Sequence, residues 1–278
     1  MGWRSRRMKT DGLSINLATV RQQFDLKTGV EALVKHGIRG VSPWREHVQA
    51  LGMAEAARII KSNGMKVTGY CRGGLFGGAD ASGQQALIDD NMRMIDEGAA
   101  IGADCLVMIG GGMAPGSRDI RAARGRYLDG MAAILPHARA CGVALAVEPL
   151  HPMYAADRGC ISLLSEAIDI CNQLGEGSGV VIDAYHLWWD PDLETQIARA
   201  TGKILAHHIC DWLVPTKDML LDRGMMGDGV IDLPRIRGWV EGAGYAGFHE
   251  VEIFSELDWW KRNPDEVLTT CRQRFKDT

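Results

Sequence analysis

Short apolar runs alternate along the chain with longer stretches whose apolar residues recur every three to four positions. The short runs, rich in β-branched residues, predict strands at 13–18, 40–43, 66–70, 105–109, 143–147, 180–182, 204–209 and 250–253. The longer stretches predict helices at 28–36, 53–63, 84–100, 118–140, 162–174, 192–200, 233–241 and 264–275. Glycine supplies the punctuation. Gly37, Gly64, Gly102, Gly142, Gly202 and Gly244 each follow a predicted helix and precede a predicted strand. A left-handed cap is wanted there, and a residue without Cβ adopts it freely. Eight such units in about 265 residues predict a single (β/α)8 TIM barrel. A doubly wound open sheet would need a glycine-rich loop after its first strand, and LSINLATVRQQ has none.

No low-complexity segment or proline-rich linker divides the chain, so residues 12–278 are expected to form one barrel. Residues 1–11 are basic, without an apolar stretch or cleavage site, and are expected to be a flexible leader. Two loops, 73–82 and 213–232, exceed the usual βα length and are candidates for lids.

Composition narrows the function classes. An apolar fraction of 46% and a charged fraction of 24% over 278 residues describe a soluble globular protein. A net charge of −4 gives no global attraction to nucleic acid or to an anionic membrane. No apolar run approaches the length of a membrane-spanning helix. Seven scattered cysteines, odd in number and without a CxxC pair, argue against a disulfide framework and for a reducing cytoplasm.

Four segments carry the chemistry: ALAVEPLHP at 144–152, VVIDAYH at 180–186, ILAHHICDW at 204–212 and HEVEIF at 249–254. Each places an acid or histidine at the end of a predicted strand. Taken singly, Glu148, Asp183 or Glu252 is also explained by a salt bridge, and a strand histidine by a core hydrogen bond. Taken together they differ, because the carboxyl ends of barrel strands converge. His207 and His208 face opposite sides of one strand, so only one of them points inward. Glu250 shares a face with Glu252 but lies nearer the strand start and is expected to be structural. Three carboxylates and one imidazole suit Mn²⁺ best, with Mg²⁺, Co²⁺ or Zn²⁺ also accommodated. Such an ion could chelate the hydroxyl and carbonyl of a sugar and stabilise the enediolate formed when the carbon between them loses its proton. Carboxylates on either side of that carbon could act as base and acid.

The segments EPLHP, IDAYH, HHICD, GDGVID and GYAGFHEVEIF resemble those of the xylose-isomerase-like sugar isomerase and epimerase superfamily, most strongly from Gly142 to Ser255. The resemblance implies a (β/α)8 barrel with metal ligands at Glu148, Asp183, His208 and Glu252, and it selects His208 over His207. It also implies acid/base roles for Glu148 and Glu252 and substrate contacts for His186 and Arg223. Relatives include ketose 3-epimerases, inositol-catabolism isomerases and dehydratases, hydroxypyruvate isomerases and endonuclease IV. Many are homodimers or homotetramers. Ketose 3-epimerases present an asparagine–arginine pair and a glutamate after the first ligand, where this chain has His151, Pro152, Met153 and Tyr154. His151 is therefore a candidate extra base or hydroxyl ligand, and Trp212 a candidate ring for stacking on a sugar face.

These readings lead to a metal-dependent isomerase or epimerase of a small sugar or keto-sugar. The alternative is a dehydratase or lyase that uses the same enolate to expel a leaving group. A DNA-repair nuclease would need further histidines for a multi-zinc cluster and a basic groove, and the chain offers neither. A barrel that binds sugar without turning it over is the remaining class.

Overall fold

A computed structural model describes residues 12–80 and 82–278; the expected leader at 1–11 lies outside the described residues. The strands are β1 (Leu13–Asn16), β2 (Gly40–Ser42), β3 (Lys66–Val67), β4 (Tyr70–Gly74), β5 (Cys105–Ile109), β6 (Ala144–Glu148), β7 (Ser178–Asp183), β8 (Ile204–Ile209), β9 (Asp211–Trp212), β10 (Arg223–Gly224) and β11 (His249–Val251). Between and after them run α1 (Leu26–Lys35), α2 (Arg45–Leu51), α3 (Met53–Ser62), α4 (Gln84–Ile101), α5 (Ile120–Cys141), α6 (Leu164–Leu174), α7 (Ala184–Leu187), α8 (Leu193–Arg199), α9 (Leu233–Gly242) and α10 (Pro264–Arg274).

Nine strands form one parallel sheet in the order β3-β2-β1-β11-β8-β7-β6-β5-β4. Both ends of that order, β3 and β4, are halves of the same wall strand, separated by Thr68 and Gly69. The Gly69 carbonyl accepts the Ser42 hydroxyl at 3.0 Å instead of continuing the ladder. Single parallel bridges from Val67 to Ala103 and from Trp44 to Cys71 join this split strand to its neighbours and close the ring. The result is the predicted (β/α)8 TIM barrel.

The glycine caps behave as expected. Gly102 and Gly142 end α4 and α5 in the left-handed region, at φ 74° and 72°. A side chain there would cost roughly 1 kcal/mol. The strand expected at 66–70 extends to Gly74, which shortens the first candidate lid. The short helices α2 and α7 had no periodic signal because neither spans two full turns. Local hydrogen bonds start them: the Trp44 amide donates to His47 Nδ1, and the Tyr185 amide to Asp183 Oδ1.

Alternation along each strand divides the barrel into two environments. Leu106, Met108, Leu145, Val147, Val180 and Ile182 pack outward against helix residues such as Ile134, Leu135 and Ile168. Burying one such aliphatic side chain contributes about 1.5–3 kcal/mol, so this outer layer holds the barrel together. The interior is filled by smaller side chains, Cys105, Val107, Ala146, Val181 and Ala206, with buried Ser14, Ser42 and Thr68 beside them. All seven cysteines are free thiols, as their scatter implied. Among the described residues no helix is long and apolar enough to cross a membrane.

Candidate metal centre and pocket

Period-two geometry brings the four predicted residues to one place. Two positions before each stands a buried residue, Ala146, Val181, Ala206 or Glu250. Continuing each strand by one pleat carries Glu148, Asp183, His208 and Glu252 onto the same inner face at the carboxyl ends. Asp183 pairs in register with His208, and His208 with Glu250, so Glu252 stands one pleat further out. One donor atom from each of Glu148, Asp183, His208 and Glu252 lies within 4.8 Å of every other. All four residues are buried, none more than 7% exposed.

The donors suit a cation. His208 Nδ1 lies 3.1 Å from Glu148 Oε1 but without hydrogen-bond alignment. Glu148 Oε1, Asp183 Oδ2 and both ring nitrogens of His208 are buried with no hydrogen-bond partner. Unsatisfied polar atoms at this depth are costly and need an explanation. A divalent ion held by Glu148, Asp183, His208 and Glu252 supplies one, and a hard, oxygen-rich set with one nitrogen is chemically appropriate for it.

Among the described residues one guanidinium pairs with these acids. Arg223 Nη1 lies 3.1 Å from Glu252 Oε2 and 3.8 Å from Asp183 Oδ2. Its plane is held between Tyr185 and Phe254, 4.3 and 4.8 Å from the ring centroids. Burial, reinforced by Glu148, pushes the Asp183 carboxyl up to about 6 against the pull of Arg223 and His208. Burial pushes Glu252 up to about 7 in spite of the same two cations, with Glu148 and Asp183 adding to the rise. Burial disfavours a charged His208, but Glu250, Glu148 and Glu252 outweigh it and raise that imidazole well above its usual range. Carboxylates crowded in this way hold protons that a cation would displace.

His208, and not His207, faces the cage. His207 Nδ1 lies 2.6 Å from His249 Nδ1 on the other side of the strand, and burial drives both rings toward the neutral form. Glu250, expected to be structural, accepts hydrogen bonds from Asn16 Nδ2 and Thr68 Oγ1, each at 2.8 Å. It also stands 3.5 Å from His208 Nε2, where it can orient the ring.

Above the cage opens a pocket of about 690 Å³ including its mouth, lined by Glu148, Glu252, His186 and Arg223 among others. His186 is buried, and its Nε2 sits 3.4 Å from Arg223 Nη2 and 3.7 Å from Asp183 Oδ2. Burial, then Arg223, holds that ring well below its usual range, so it is a neutral group beside the acids. His151 and Trp212 are placed differently: neither lines the pocket. Their ring centroids lie 5.1 Å apart with the planes tilted by 33°, Trp212 stacks on Tyr185 at 4.8 Å, and His151 Nδ1 accepts the Met153 amide. The loop after β6 instead contributes Leu150, Tyr154 and Arg158 to the pocket. Trp44, which stands beside a predicted strand end, lines it too, whereas Arg21 and Arg72 carried no local sequence signal because only barrel closure brings them there.

The second long loop is an organised structure that delivers Arg223. Asp211 is 1% exposed and accepts four backbone amides: Trp212 and Ile231 on Oδ1, Gly227 and Gly229 on Oδ2, all at 2.9–3.0 Å. An antiparallel pairing of β9 with β10 adds to this anchor. Asp211→Ala leaves those buried amides unpaired and is expected to cost roughly 3 kcal/mol, read as a lower urea midpoint at unchanged slope. A stability within about 0.5 kcal/mol of the parent would show that the loop holds itself. Among the described residues one other cluster of possible ligands, Asp96, His137 and Cys141, lies on the outer helices. There His137 Nε2 already shares a 2.7 Å hydrogen bond with Asp96 Oδ1 at the surface.

Comparison with known proteins places this architecture. A family model described as "Xylose isomerase-like TIM barrel" matches residues 30–271. Among curated proteins none matches the sequence. The solved structure of protein SMc04130 from Sinorhizobium meliloti 1021 is 60% identical, with a TM-score of 0.95 over 97% of this chain and 98% of that one. An IolI protein solved with a bound zinc atom shares 21% identity and a TM-score of 0.82 over 96% and 97% of the two chains. A D-psicose 3-epimerase solved with D-fructose shares 15% identity and a TM-score of 0.77 over 95% and 96%. At those last two identities the likeness is one of fold. The match across most of the barrel nevertheless settles the family: this chain belongs to the xylose isomerase-like TIM-barrel proteins.

Proposed function

We propose that the protein is a divalent-metal-dependent isomerase or epimerase of a small sugar or keto-sugar, acting by removal of the proton next to a carbonyl. The observation that carries this reading is the cage: three carboxylates and one imidazole, buried, with donor atoms mutually within 4.8 Å, two of the carboxylates lining a pocket. A zinc-binding fold relative and a 3-epimerase fold relative support it without deciding the metal or the substrate. The donor chemistry favours Mn²⁺, with Mg²⁺, Co²⁺ and Zn²⁺ as alternatives.

When bound, the ion would supply positive charge to the adjacent carbonyl and hydroxyl oxygens of a substrate and so acidify the neighbouring C–H. Glu148 and Glu252 both reach the pocket and share the proton work, one removing the proton from carbon and the other returning one. The same face of carbon leads back to substrate, the opposite face to the epimer, and the neighbouring carbon to the isomer. His186, neutral and buried, offers a ring nitrogen to a substrate hydroxyl, and Arg223 holds Glu252 in place while presenting its remaining N–H groups. The reducing cytoplasm inferred from the free thiols is the compartment we propose.

The test combines metal analysis of the purified protein with a screen of ketoses and inososes in heavy water. The expected result is about one bound divalent ion and deuterium uptake at a single carbon that stops on chelation. Loss of water from the exchanging substrate would assign elimination in place of isomerisation. A protein that takes up no metal and exchanges none of the panel would overturn the proposal.

A further inference from the structure

We infer that Arg72 and Arg158 form an anion subsite at the mouth of the pocket, so that the substrate carries a carboxylate or phosphate group away from its reacting carbon. The inference rests on reading the cage as a metal and sugar site, and it deepens that reading by naming the class of sugar. Four arginines line the pocket: Arg21, Arg72, Arg158 and Arg223. Two are already committed. Arg223 pairs with Glu252, and Arg21 with Glu46 at 2.6 Å.

The other two are less fully paired, Arg72 exposed and Arg158 half-buried. Among the described residues Arg72 has no acidic side chain within ion-pair distance, and its guanidinium lies over the Trp44 ring, 5.5 Å from the centroid. Among the described residues Arg158 has its chain neighbour Asp157 at 3.8 Å and Asp218 beyond ion-pair distance, and it lies 5.7 Å from the Tyr154 ring centroid. Both rings are fixed. Trp44 Nε1 donates to Asn16 Oδ1 at 2.7 Å, and the Tyr154 hydroxyl donates to the Met219 carbonyl. A guanidinium laid on an aromatic face is orientated by the ring, while its N–H edge stays free for a carboxylate or phosphate fork.

Topology puts the two in one sector. Arg72 lies on β4 and Arg158 in the loop after β6, the two strands that flank β5. The cage spans β6, β7, β8 and the end of β11. Both guanidiniums line the same pocket as Glu148 and Glu252, so a small substrate held by the cage would lie within the space they share. A neutral sugar would leave both charges unused, whereas an acidic one gains charge-assisted hydrogen bonds.

The test is calorimetric titration of the Mn²⁺-loaded protein with three six-carbon polyols: D-gluconate, D-glucitol 6-phosphate and neutral D-glucitol. At least one anion is expected to bind about 10-fold or more tightly than glucitol, and the order of the two anions identifies carboxylate or phosphate. In R72Q/R158Q that preference should fall toward unity with glucitol affinity unchanged, and R72K/R158K should retain part of it. If the double variant fails to fold, R72Q and R158Q singly should each lose several-fold of the preference. Glucitol binding as well as both anions, no anion binding at all, or a preference that survives in R72Q/R158Q would overturn the subsite. Titration with Mn²⁺ alone tests the cage separately. A protein that takes up no Mn²⁺ but loses its anion preference in the variant would sink the metal reading and leave the subsite standing.

Discussion

Glu252→Gln is expected to lower deuterium exchange into the substrate found by the heavy-water screen by about 10³-fold, even at saturating metal. The substitution keeps the shape of the side chain. It also keeps an oxygen for one of the two hydrogen bonds Glu252 now accepts, from Asn16 Nδ2 at 2.9 Å and Arg223 Nη1 at 3.1 Å. What it removes is the ability to carry a proton to and from carbon. Because Glu252 is also a proposed ligand, metal affinity should weaken by roughly 10-fold, and raising the metal concentration restores occupancy without restoring exchange. That split distinguishes a lost base from a lost ion. Parent-level exchange in a folded, metal-saturated variant would take Glu252 out of the acid/base role and leave it, at most, a ligand.

The residues that could be read from the chain are those whose position follows from local pattern. Glu148 and Asp183 each close an apolar strand, and a charge ending a buried run at the carboxyl side of a β-strand has few destinations once the βα repeat implies a barrel. Pattern did not separate His207 from His208, since alternation says only that they face opposite ways; the resemblance made the choice, and register with Asp183 supports it. Residues on connecting loops escaped for the opposite reason. His151 follows Glu148 by three positions, yet the path of its loop turns its ring toward Trp189 and Trp212 and gives Tyr154 and Arg158 to the pocket. Arg72 falls between the predicted strand at 66–70 and the predicted loop at 73–82, and it becomes a wall of the site only because the third strand resumes after Gly69 and runs on to Gly74. Asn16 links the two halves of the chain. Its amide reaches Glu250 and Glu252 from the first strand, a pairing that requires β1 to lie beside β11 and so depends on ring closure.

Removing the metal is expected to reduce turnover to background, and the affinity that restores it should depend steeply on pH. In the metal-free protein, burial holds Asp183 at about 6 and Glu252 at about 7, both above the values near 4 of an unfolded chain. The folded state therefore keeps protons that the unfolded state has released between pH 4 and 7. The stability these two groups contribute is present below pH 4 and is lost as pH rises through 6 and 7. A cation reverses the balance, because it favours the ionised carboxylates. Protons and metal then compete across that same window. With one proton displaced from each acid, Mn²⁺ affinity should rise roughly 100-fold between pH 5.5 and 7.5, and more if His208 must also give up a proton. The stabilisation follows as RT ln(1 + [Mn²⁺]/Kd), so a fixed excess of Mn²⁺ should raise the melting temperature more at pH 7.5 than at pH 5.5. Calorimetric titration at the two values, with thermal melts beside it, measures both quantities. An affinity that stayed flat across this range would mean that Asp183 and Glu252 release no protons to the ion, and would overturn this competition between protons and metal.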